Sequence, residues 1–67
     1  MDTHIIIPSQ TYAEKARHLL NRYRYSFRLQ KTVTQEGCVY RLTVSAPPDA
    51  VLPLLTANGI PCRQERS

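Results

Sequence analysis

Residues 25–45 read YSFRLQKTVTQEGCVYRLTVS, and two alternating runs lie inside them. In the first, Tyr25, Phe27 and Leu29 share one side, and Ser26, Arg28 and Gln30 the other. In the second, Tyr40, Leu42 and Val44 alternate with Val39, Arg41 and Thr43. A period of two marks half-buried strands, predicted over 25–33 and 39–45. The segment between them, 34–38, has the length of a hairpin loop with Glu36 and Gly37 as its turn. The pair is therefore antiparallel, with one buried face on each strand.

The flanks complete the pattern. Before the hairpin, His4 is followed by three isoleucines and Pro8, which reads as a short buried strand ended by proline. Ile5 and Ile7 face one side, His4 and Ile6 the other. Ser9 offers an N-cap hydroxyl, with Thr11 as a competitor. From there Tyr12, Ala13, Ala16, Leu19, Leu20 and Tyr23 trace one helical stripe opposite Glu14, Lys15, Arg17, His18, Asn21 and Arg22. After the hairpin, Pro48 and Asp49 suit a helix start and Asn58 with Gly59 a helix stop. Pro53 is awkward inside that helix, so the helix is expected to be short, kinked or to begin near it. Residues 60–63 can form a last edge strand, grading into a frayed tail over 62–67.

The order is β-α-β-β-α-β in one domain, residues 1–67. Right-handed crossovers around one hairpin leave an α+β, ferredoxin-like sandwich as the common solution: an antiparallel sheet ordered 4-1-3-2 with both helices on one face. A chain of 67 residues buries only about 60% of its unfolded surface, leaving little room for a deep pocket and a lid. A carrier or binding module fits that size better than a turnover enzyme.

The net charge is +4 from nine basic and five acidic residues. Only Arg63 and Arg66 lie in the tail and the others spread over helix and strands, which keeps a small domain soluble and demands no anionic partner. The acidic start and the three-isoleucine run suit neither a signal peptide nor a membrane span, so a cytoplasmic protein is expected. Two cysteines are too few for a secreted disulfide scaffold and should be thiols. No cofactor is expected. His4, His18, Cys38 and Cys62 lack metal-ligand spacing, so no metal is expected either.

Topology places the thiols at one edge. Cys38 opens the third strand and Cys62 lies near the start of the fourth, with the end of the first strand and the first helix N-terminus between them. Two strand spacings, about 10 Å, exceed the ~7 Å reach of a disulfide. Free N–H groups at that helix end, with Ser9 as an added donor, favour a thiolate at Cys38. The competing reading is that both cysteines simply pack as small hydrophobes. On the open sheet face lie Ile6, Arg28, Gln30, Val39, Arg41 and Thr43, with His4. The alternation turns Tyr40 away from that face and leaves it too few aromatics for an RNA-recognition surface, so nucleic acid is not expected as a partner. A second copy of the chain, or a small ligand, could cover it.

The strand HIII, the helix YAEKARHLL, the strand YSFRLQKTV, the Gly-Cys hairpin before VYRLTV and the late VLPLLTANGI resemble the small selenium/sulfur carrier-like domains, domain of unknown function 3343. The likeness runs over nearly the whole chain. Members usually carry Cys-Gly in the hairpin, where this chain has Gly37 then Cys38. The resemblance implies a thiol at Cys38 that carries sulfur or selenium as a persulfide or selenopersulfide, with donor and acceptor proteins as partners.

Overall fold

A computed structural model describes residues 2–35 and 37–65. Met1, Glu36, Arg66 and Ser67 lie outside the described residues, and with them part of the expected turn and the end of the expected tail. The elements are β1 (Thr3–Ile7), α1 (Gln10–Arg22), β2 (Phe27–Thr34), β3 (Gly37–Val44), α2 (Pro48–Ala57) and β4 (Arg63–Gln64). They form an α+β domain with one four-stranded antiparallel sheet ordered β2-β3-β1-β4 and two helices. Read from the other edge, this is the expected order 4-1-3-2.

The period-two pattern translates directly into register. Phe27 pairs with Val44, Leu29 with Leu42 and Thr34 with Gly37, leaving only residues 35 and 36 between the last partners. β1 pairs from Thr3 with Val44 to Ile7 with Tyr40. The hairpin is thus tighter than expected, and Cys38 sits within β3, opposite Val33, rather than in the loop. The Thr34 hydroxyl donates to the Gly37 carbonyl at 2.9 Å and closes the turn. Gly37 has φ +119°, a backbone that side chains rarely adopt, so glycine is required there.

The core lies on one sheet face. Ile5, Ile7, Leu42 and Val44 from the sheet meet Ala13, Ala16 and Leu20 from α1, and Val51 and Leu55 from α2. Both helices therefore cover the same side. The small alanines bring α1 close to the strands, and each buried Ile, Leu or Val adds about 1.5–3 kcal/mol. Thr3 is buried, and its hydroxyl donates to the Ala46 carbonyl at 2.6 Å, which satisfies the one polar side chain buried in the core among the described residues.

Three local expectations shift. Tyr23 belongs to the apolar stripe by spacing, yet it is the C-cap of α1 and 56% exposed, because the helix ends before it can turn inward. α2 runs through Pro53 without ending. Pro53 removes the hydrogen bond to the carbonyl of Asp49, but both residues are exposed and water can take its place. The frayed tail expected over 62–67 is corrected for its first part: Arg63 and Gln64 pair with β1, and the Glu65 N–H donates to the His4 carbonyl at 2.8 Å.

Candidate functional site

The first candidate is the thiol at the hairpin end of the sheet. Alternation along β3 puts Cys38 on the same face as Tyr40 and Leu42, the face the helices cover, but beyond the point where β1 runs out. Its cross-strand neighbour Val33 is 76% exposed. Cys38 is itself an exposed free thiol. Ser9 lies two residues past Ile7, and Cys38 two residues before the partner of Ile7, so both occupy the same end of the fold. Ser9 is the N-cap of α1, as expected, but its hydroxyl makes no cap hydrogen bond; its carbonyl accepts the Ala13 N–H at 2.9 Å.

Cys62 is also free, and half-buried against the core. Burial pushes its thiol up from the ordinary value, so it stays protonated further into alkaline pH than a free cysteine. It lines a shallow cleft of about 310 Å³ with Ile6, Pro8, Val39, Pro61 and Arg63. Cys38 lies in β3 and Cys62 immediately before β4, and β1 separates those two strands, which sets them two spacings apart, about 10 Å. The two thiols do not form one dithiol centre.

The second candidate is the open sheet face. Gln30, Arg41, Ile6 and Arg63 fall in one cross-strand row. Arg28, Thr43 and His4 make the next, with the His4 Nδ1 3.2 Å from the Thr43 hydroxyl. Thr32 opposite Val39 makes a third. All six residues expected on this face are therefore brought together, on the side away from Cys38. The Arg41 guanidinium donates to Glu65 at 3.0 Å, while its Nε is enclosed and has no acceptor among the described residues. Ile6, Val39, Thr32, Thr34, Arg41 and Glu65 are among the residues around a groove of about 410 Å³ there.

Arg63 and Glu65 join this face only because β4 pairs further along the chain than expected. The sequence carries no signal for this, because Arg63 and Gln64 are both polar and both exposed and show no alternation. Among the described residues no three His, Cys, Asp or Glu side chains converge as metal ligands, and no helix is long and apolar enough to cross a membrane. No family model, no curated protein and no solved structure matches the chain.

Proposed function

We propose that this chain is a sulfur or selenium carrier-like domain of ferredoxin-like architecture, working in a reducing, cytoplasmic setting, with Cys38 as the carrying thiol. The supporting observation is the position of Cys38: exposed, unpaired and at the sheet rim next to a solvent-facing valine, where a second protein can reach it. The chemistry asks for little else. The Cys38 thiolate attacks the outer sulfur of a donor persulfide, the donor leaves as a thiolate, and Cys38 holds the outer sulfur as its own persulfide. An acceptor nucleophile then takes that sulfur and returns the Cys38 thiolate. With a selenopersulfide donor the terminal atom is selenium and the bookkeeping is the same. The resemblance of the hairpin and helices to selenium/sulfur carrier-like domains agrees with this reading.

The test is persulfide loading followed by mass spectrometry of the intact chain and its peptides. Loading should add the mass of one sulfur atom at Cys38, survive Cys62→Ser and vanish with Cys38→Ser. Equal loading at Cys62, or none at either thiol, defeats the reading.

A second reading rests on the open face, where Ile6 and Val39 are half-exposed beside the unaccepted Arg41 Nε. A second copy laid on that face would make a non-catalytic homodimer. A doubled solution mass that Ile6→Asp returns to monomer would support it; a monomer at high concentration would remove it.

A further inference from the structure

The basic residues are not evenly placed once the chain is folded. Residues 15–35 contain Lys15, Arg17, Arg22, Arg24, Arg28 and Lys31, and no Asp or Glu. Glu14, just before this run, is tied to Arg17 at 2.6 Å. Among the described residues, Arg22, Arg24, Arg28 and Lys31 have no ion-pair partner, and all four are exposed. The run passes from the last turn of α1 through a tight corner into β2, the longer of the two edge strands of the sheet. Lys31 stands on the helix side of that edge, and Arg28 on the open side, in a shallow groove of about 400 Å³ whose lining includes Ser26, His4 and Asp2. Cations therefore flank both faces of an edge that no other described strand pairs with.

Two details at the corner point to a specific occupant. Tyr23 is 56% exposed and stands between Arg22 and Arg24 in the chain, an aromatic residue open to solvent flanked by two exposed arginines. Arg24 has φ 62°, the left-handed conformation. A helix end of this kind ordinarily takes glycine, because any side chain there is strained by about 1 kcal/mol. An arginine is thus held at a position that folding alone would give to glycine. Arginines for phosphates and an accessible ring for a base are the two parts of a single-strand site.

We propose that the corner from α1 into β2, centred on Tyr23 and Arg24, binds single-stranded nucleic acid. The strand's phosphates lie against Arg22, Arg24 and Arg28, and one base stacks on Tyr23. This site is separate from Cys38 and from the interior of the open face, where too few aromatics were available for such recognition. A duplex keeps its bases stacked and offers Tyr23 nothing, and an acidic peptide has no use for the ring.

The experiment is fluorescence anisotropy of a labelled oligouridylate of about a dozen nucleotides with the full chain at about 50 mM salt. Binding should weaken with salt at a log–log slope of about −2, as expected for roughly three neutralised phosphates on a single strand. Tyr23→Ala should weaken binding by about tenfold. Arg24→Gly should weaken it several-fold while holding or raising the thermal midpoint, a combination that a purely structural role cannot produce. Cys38→Ser should bind as the parent does, so failure of the carrier reading leaves this test intact. Absence of binding, or binding untouched by both Tyr23→Ala and Arg24→Gly, overturns the proposal. So does equal competition by polyglutamate or by anionic vesicles, which would assign the corner to an acidic protein or a lipid surface instead.

Discussion

α1 and α2 end in the same hydrogen-bonded turn, built from different residues. At the end of α2, the Ile60 N–H donates to the Leu55 carbonyl and the Gly59 N–H to the Thr56 carbonyl. At the end of α1, the Tyr25 N–H donates to Leu20 and the Arg24 N–H to Asn21, with the same spacing. Both are the six-to-one and five-to-two pair that caps a helix through one left-handed residue. In α2 that residue is Gly59, φ 70°, and in α1 it is Arg24, φ 62°. The residue after it also differs: Ile60 is buried, whereas Tyr25 is half-buried. One end is built for stability throughout, while the other accepts strain at one position and shows a charged, aromatic corner to solvent.

The largest effect expected from this comparison comes from the residue that anchors each turn. Ile60→Ala should cost about 2–5 kcal/mol by urea denaturation, since it opens a cavity beside Leu55. Tyr25→Ala should cost clearly less, because part of its ring is already in water. Equal losses would mean that both ends are anchored alike and that only the left-handed residue distinguishes them. Next comes Gly59→Ala, at about 1 kcal/mol. A Cβ built on Gly59 has no atom within 4 Å, so any loss reports backbone strain and not a clash. The reverse exchange, Arg24→Gly, should raise stability by about 0.5–1 kcal/mol. If it does not, some contact of the Arg24 side chain compensates its backbone, and its presence at the corner would no longer need a binding role.

Much of the fold was readable because the period of the pattern changes cleanly along the chain. The alternation around Phe27, Leu29, Leu42 and Val44 marked the buried face of the hairpin, while the loop expected over 34–38 proved shorter, with Thr34 already paired to Gly37. The interval pattern of Ala13, Ala16 and Leu20 fixed the face of α1. Tyr23 was misplaced because a helical stripe carries no mark of where the helix stops: the stop here is an arginine, and sequence signals for a C-cap look for glycine. β4 was placed too early because Pro61 and Ile60 resemble a strand start, while the pairing that decides the matter is a backbone hydrogen bond from Glu65 to His4. The site was less legible for a related reason. Cys38 is conspicuous as a residue type, whereas the basic corner appears only when the turn brings α1's last residues onto the free edge of β2.

The smallest expected effect concerns the acid on α1 just before the basic run. Glu14 accepts from the Arg17 guanidinium at 2.6 Å, and this hydrogen bond holds its carboxyl below the ordinary value of 4.5. A carboxyl lowered on folding stabilises the folded chain above its ordinary pKa, and that contribution is lost as pH falls through the lowered value. Glu14→Gln should therefore lower the thermal midpoint slightly at neutral pH and match the parent in acid, where Glu14 is itself uncharged. Both partners are well exposed, so the shift should be smaller than that of Arg24→Gly and should shrink further in high salt. A difference that persists into acid would assign the effect to helix propensity and not to the ion pair. The same variant frees Arg17 and adds one unpaired cation to the basic run that leads along α1 to Arg22 and Arg24. If the corner binds a phosphate chain, Glu14→Gln should tighten that binding modestly while weakening the fold. That would set α1 apart from α2 as the helix whose surface charges serve something other than its own stability.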